Sequence, residues 1–336
     1  METNHNTKLT SAEHSQLWIG YMQDSMSIRT LSYFLQTVED PDIRPVIQQA
    51  LDLSQAHIPK VAALFQSDNR PVPIGFSDQD VDLNAPRLFS DEFMLNNVKQ
   101  TAQMGMQMYA QAIAHSARQD VRNYLSEALN ESSRLYDQSL DVLLAKGIYV
   151  RAPYIDTPDQ ASFVNQESFM AGWFGEQRPL TALEIGNLYA NIQRNSLGSH
   201  LLTGYAQTAH SKKVQDYLKR GRDIASKHVQ TFTQTLQEND LPASAPWNDP
   251  VTDSTVAPFS EKLMMFQTLV TNSIGFAYYG TSASTSLRRD LPALYSRLMA
   301  EIGKYVNDGG ELMIDHGWLE EPPRMIDHDE LMKNKH

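Results

Sequence analysis

Asp24, His57 and Glu131 are residue types from which a metal centre or a buried hydrogen-bond network could be built. They recur at an offset of 171 or 170 positions as His228 and Glu301, with Asn195 where the aspartate would fall. Imidazole and carboxylate oxygen are ligands for Fe, Mn or Zn. The same groups also satisfy one another when buried without metal. Three readings stay open: mutual hydrogen bonding, a single metal held by Asp24, His57, Glu131, His228 or Glu301, or the polar end of a ligand cavity. The change of Asp24 to Asn195 removes a negative ligand and weakens the metal reading in the second set. A di-iron centre of the bundle type needs a Glu from each of two helices and Glu-x-x-His from the other two. Here Ser54 and Ala225 precede the histidines by three, and Glu127, Glu131 and Glu301 are followed by Asn130, Arg134 and Lys304. An ordinary di-iron centre is therefore not expected.

Positioning these residues is the task of helices. Thr10-Ser11-Ala12-Glu13 and Thr181-Ala182-Leu183-Glu184 are capping boxes, each opening a helix. In the first helix Leu17, Tyr21, Asp24, Ile28, Leu31, Leu35 and Val38 form a stripe at threes and fours. Asp40-Pro41 is expected to end it and cap the next. The second helix places Val46, Ala50, Leu53, His57, Val61 and Leu64 on one face, with Pro59 expected to bend it. A connection of about 20 residues follows, too long for neighbouring antiparallel helices. Ser90 and Ser260 cap the third helix of each set, and Asp120 and Asp290 are expected to cap the fourth. Gly147 and Gly317 read as C-terminal caps, and Gly309-Gly310 as a weak point in the last helix.

The chain is thus a tandem duplication. Residues 10–158 form the first copy, 159–180 a join and 181–330 the second copy. Short loop, long crossover, short loop is the order of the ferritin-like four-helix bundle. The fold expected is all-α, two such bundles packed through the segment from Phe163 to Pro179, where Phe163, Phe169, Trp173 and Phe174 cluster. A patch for another chain or a membrane surface is the alternative reading of those aromatics.

Gly172-Trp173-Phe174-Gly175, followed by Arg178-Pro179-Leu180-Thr181-Ala182-Leu183-Glu184-Ile185, resembles the join of the DUF3231 family. So do Gly75-Phe76 with Asp80-Val81, and Leu83-Asn84-Ala85-Pro86-Arg87-Leu88-Phe89-Ser90. The resemblance covers nearly the whole chain. It implies tandem ferritin-like bundles in spore-forming Gram-positive bacteria, with a distant similarity to ferritin-like spore-coat proteins, and brings no site residues with it.

Composition narrows the function. The formal charge is -12 over 336 residues, which argues against a phosphate-backbone partner. No cysteine is present, so thiolate sites and disulfides are excluded. The polar start and the lack of a long apolar run point to a cytoplasmic protein, with spore association implied by the resemblance. No Gly-x-Ser-x-Gly or His-Glu-x-x-His motif occurs. His14, His115, His200 and His210 have no counterpart in the other copy and read as surface or cap residues. Asp327-His328-Asp329-Glu330 reads as a solvated tail. Met104, Met106 and Met108 surround Gly105 and read as adaptable core, or as the wall of an apolar pocket. Tyr109 and Tyr279 follow one turn after Gly105 and Gly275. The functions that follow are a non-catalytic structural or interaction protein, with protein partners or self-association; a metal-binding or metal-dependent redox protein; and a carrier of a small apolar molecule.

Overall fold

The computed structural model describes residues 8–173, 177–242, 250–328 and 332. Among them the chain is helical, with two isolated antiparallel bridges and no strand. Helices α1 (Ser11–Thr37), α2 (Arg44–Ser67), α3 (Asp91–Ala114) and α4 (Gln119–Ala145) make the first copy. Helices α5 (Ala182–Thr208), α6 (Lys212–Gln237), α7 (Glu261–Thr285) and α8 (Asp290–Asp315) make the second. The bounds of α1 and α5 coincide after a shift of 171 residues. Each first helix packs most extensively on the second, and each third on the fourth.

Both capping boxes form, and their glutamates do a second job. Glu13 Oε2 accepts from Thr10 N at 2.8 Å, while Oε1 accepts from Ala117 N and Arg118 N, at 2.8 and 2.7 Å, where α4 begins. Glu184 does the same for Thr181, Leu287 and Arg288, and Arg178 grips its carboxylate with both terminal nitrogens, at 2.8 and 2.9 Å. The amides preceding the fourth helices are thus met by carboxylates distant in sequence. Asp120 is the second residue of α4 and Asp290 the first of α8, so neither is the N-cap, and each binds the guanidinium two positions earlier. Asp40 likewise does not cap α2, whose N-cap is Ile43 with Pro45 in the first turn. Helix α2 continues through Pro59, which sits on its exposed side.

The first helices are buried on more than the expected stripe. Met22, Met26, Tyr33 and Phe34 of α1 are buried together with Leu197, Leu201 and Tyr205 of α5 in one core that spans both copies. A helix buried on several sides loses its amphipathic signal. The long crossovers close this interface by pairing with each other. Val81 bridges Phe259 and Phe89 bridges Val251, each pair joining one residue to the counterpart of the other. Asp82 N donates to Pro258 O at 2.8 Å and Thr252 N to Leu88 O at 2.9 Å. Phe89 stacks on Phe93 at 4.2 Å, and Gly204 leaves room for the Phe89 ring where a Cβ would overlap it. The copies therefore meet as a pseudo-symmetric, self-complementary pair within one chain.

The join does not carry this contact. Phe163 is 94% exposed and Trp173 62% exposed. Phe169 is half-buried under the Arg178 guanidinium, and Phe174 lies outside the described residues. The helical faces and crossovers already cover the apolar surface that the join aromatics were expected to bury. Gly75 turns with φ +65°, where a Cβ would press on the Ser25 hydroxyl, and so lets the first crossover lie against α1. Helix α8 runs unbroken through Gly309 and Gly310. A Cβ at Gly309 would overlap the Tyr217 hydroxyl, and one at Gly221 the Tyr305 hydroxyl. The two rings stack at 4.3 Å, and each hydroxyl donates to the other residue's carbonyl, at 3.0 and 3.2 Å.

Candidate functional site

Helices α1, α2 and α4 bring Asp24, His57 and Glu131 together at mid-height. His57 Nδ1 lies 3.2 Å from Asp24 Oδ2, and Nε2 lies 2.9 Å from Glu131 Oε2. Carboxylates only accept, so a ring between two of them carries a proton on both nitrogens. Burial alone would push the His57 pKa down, but hydrogen bonds and charge from Asp24, then Glu131, outweigh it and raise it. The rings of Tyr109 and Tyr124 stand edge-on to the imidazole at 6.2 and 5.6 Å.

The second copy builds a different centre on the same positions. Asn195 does not hydrogen-bond to His228 directly. Its Nδ2 donates to the Tyr279 hydroxyl at 2.8 Å, and that oxygen lies 3.0 Å from His228 Nδ1. His228 Nε2 lies 3.0 Å from Glu301 Oε2. The polarity of this chain is consistent throughout: Asn195 donates to Tyr279, Tyr279 to Nδ1, and Nε2–H to Glu301. It satisfies a neutral imidazole with one tautomer. Burial is the main cause of a lowered His228 pKa; Glu301 opposes it, and Lys227 and Arg297 add to it. Lys227 Nζ holds both Glu301 oxygens at 2.8 and 2.9 Å. Burial tends to raise the Glu301 pKa, yet Lys227 and His228 bring it below the usual carboxylate value.

Among the described residues no group of three or more His, Asp or Glu side chains is arranged to hold a metal ion. A metal at His57 would have to take one ring nitrogen from a carboxylate already bonded to it. Of the unmatched histidines, His115 and His210 are exposed, while His14 and His200 are half-buried. Asp329 and Glu330 lie outside the described residues.

The two centres share an interior. A cavity of about 210 Å³ is lined by Asp24 and His57 from the first copy and by Asn195 and His228 from the second. Met104 and Met108 form part of its apolar wall. Gly275 borders it, and a Cβ there would meet nothing within 4 Å. By contrast, a Cβ at Gly105 would press on the Ser132 hydroxyl. Thr101 and its counterpart Thr271 line the cavity and are exposed, so it reaches the surface between them.

Spacing did not single out Arg194, which also lines the cavity. Its guanidinium carbon lies 3.2 Å from the centre of the Tyr278 ring, and Nη1 donates to Asn191 Oδ1 at 3.2 Å. The 171-residue offset places Arg194 on Gln23, beside the Asp24-to-Asn195 change, and that is where the sequence signal lay.

No helix among the described residues is long and apolar enough to cross a membrane. No curated protein matches the chain. A crystal structure described as a "putative spore coat protein" from Bacillus halodurans is similar at 19% identity, covering 45% of this chain and 98% of that one, with a TM-score of 0.41. A family model described as a protein of unknown function matches residues 1–161 and again 168–331, once over each copy of the helical quartet. The chain belongs to the DUF3231 family.

Proposed function

We propose that the protein binds a small, largely apolar molecule in the cavity shared by its two copies. The observation that supports this is the void itself, about 210 Å³ and walled in part by Met104 and Met108. A close-packed interior does not leave such space without a cost in stability. An apolar cavity of about 150 Å³ is enough to admit benzene. Methionine walls adapt to the shape of what enters. The helix order and long crossovers support reading each copy as a ferritin-like bundle, at 10–158 and 181–330 about a join at 159–180. A cytoplasmic, spore-associated setting belongs to the same proposal, on the family resemblance alone.

The test is a substitution that fills the void. Gly275→Leu directs its side chain into open space and removes a helix-interior glycine, so the variant should fold at least as stably as the parent. Wild-type protein is expected to gain thermal stability in 1-octanol, and Gly275→Leu is not. Equal responses would remove the cavity as the binding site. Metal binding through Asp24, His57, Glu131, His228 and Glu301 is the competing reading. Stoichiometric Fe, Mn or Zn in purified protein, lost in His57→Ala, would favour it. A purely structural role predicts no response to octanol or to metal.

A further inference from the structure

The cavity is electrically polarised along its length. At the first-copy end, two carboxylates share one imidazolium and leave a net negative charge. At the second-copy end His228 is held in its neutral form and Lys227 offsets Glu301. Arg194 remains. It makes no ion pair with any carboxylate among the described residues, and its Nε is buried without a partner. A guanidinium cannot shed its charge on burial as an amine can, so an inward Arg needs an anion or costs stability. Its field reaches Lys99, whose ammonium is pushed down to about 8 by burial and then by the Arg194 charge. The same helical position in the first copy holds Gln23, whose Nε2 lies 3.6 Å from Met108 Sδ. Met108 in turn occupies the position of Tyr278. One copy therefore offers an amide over a thioether where the other offers a guanidinium over an aromatic face.

We infer that the occupant is a small amphipathic acid, its carboxylate held at Arg194 and its apolar tail running toward Met104 and Met108. This rests on the cavity-binding reading above. The Asp24–His57–Glu131 end repels a carboxylate and admits a hydrocarbon, so the polarity fixes which way the molecule lies. Asn191 and Asn195 beside Arg194 supply polar surroundings for the head group.

Titration calorimetry on the full chain with sodium octanoate and 1-octanol tests it. Octanoate is expected to bind at least about tenfold more tightly than octanol, since its head group alone can pair with the guanidinium. Arg194→Gln should erase that preference, octanoate then binding no tighter than octanol, and a thermal unfolding transition like the parent's certifies the variant as folded. Arg194→Lys should keep part of it. If octanoate binds no better than octanol in wild type, or if Arg194→Gln leaves the preference intact, the anionic head group is wrong while the cavity stands. If neither probe binds wild type, the cavity reading fails and this inference with it.

Discussion

The two copies hold a histidine at the same place and give it opposite charge states. In the first, Asp24 and Glu131 accept from both ring N–H groups of His57; in the second, Asn195 and Tyr279 turn His228 into a link in a neutral donor chain. One helical step accounts for most of the difference. Gln23-Asp24 became Arg194-Asn195, which moves the local charge from negative to positive without disturbing the helix. Duplication kept the scaffold and separated the chemistry of the two centres. Because both open into one cavity, that separation gives a single binding space two unlike ends.

The most severe way to probe the comparison is through the core of the second copy. Tyr217 and Gly309 stand where the first copy has Val46 and Ser139. Gly309→Ser should cost about 4 kcal/mol, from overpacking and from stranding the Tyr217 hydroxyl. Adding Tyr217→Val restores the first copy's pair and should recover at least half. Urea denaturation of the single and double variants measures the coupling; additive effects would mean the two positions do not share a space.

Next come the capping glutamates, which differ by one guanidinium. Burial works against the Glu184 carboxylate, but Arg178 and the amides of Thr181 and Arg288 hold it down at about 2. Glu13 is also lowered against burial, by the amides of Arg118 and Thr10, with no guanidinium bonded to its carboxylate. A carboxylate depressed in the folded state stabilises above its unfolded value and loses that contribution as pH falls through the folded one. Glu184→Gln should therefore cost about 3 kcal/mol at neutral pH and far less near pH 2. Glu13→Gln should cost less at neutral pH, about 1 to 2 kcal/mol. Equal losses would mean that Arg178 contributes nothing net.

These glutamates also mark what the sequence made legible. Thr-x-x-Glu located the start of both first helices, because that signal is local. It could not tell that the same carboxylate reaches the amides before α4 or α8, a contact across 103 to 105 residues. The level at which Asp24, His57 and Glu131 meet followed from loop positions and helical rise. The tyrosine between Asn195 and His228 did not, since it depends on how far a ring leans across the bundle. The stripe on α1 missed Met22, Tyr33 and Phe34 because a face turned toward the other copy carries no period of its own. Pairing between crossovers was hidden for the same reason: neither strap resembles a strand until the other lies beside it.

The histidines give the third contrast. Asp24→Asn leaves His57 with one carboxylate and should cost about 2 kcal/mol near pH 6. His57, with its raised pKa, stabilises fully below the unfolded value and less as pH rises through the folded one. His228, with a lowered pKa, takes stability away as pH falls below the unfolded value. Stability measured between about pH 5 and 8 should therefore lose its acid-side gain in Asp24→Asn. Imidazole NMR titration should show the His57 pKa falling in that variant while His228 is unmoved. A His57 pKa indifferent to Asp24 would dissolve the contrast between the centres.

The smallest expected effect is the most exact comparison. Asp68 accepts from Leu9 N and from Arg118 Nη1, the latter at 3.1 Å. The counterpart Asn239 accepts from Arg288 Nη1 at 2.9 Å. Arg288 is only 1% exposed and already pairs with Asp290 through two nitrogens, at 2.9 and 3.0 Å. Asn239→Asp adds a second carboxylate to a guanidinium whose charge is already met. The added Coulomb attraction is opposed by the cost of desolvating a new charge, so stability should change by no more than about 1 kcal/mol. Asp68→Asn removes the carboxylate from Arg118, which keeps Asp120 at 2.6 Å. It should cost about as little on the guanidinium side, plus the weaker hold on Leu9 N. A loss in Asp68→Asn well above the change in Asn239→Asp would locate the aspartate's value in fixing the chain before α1 rather than in its arginine.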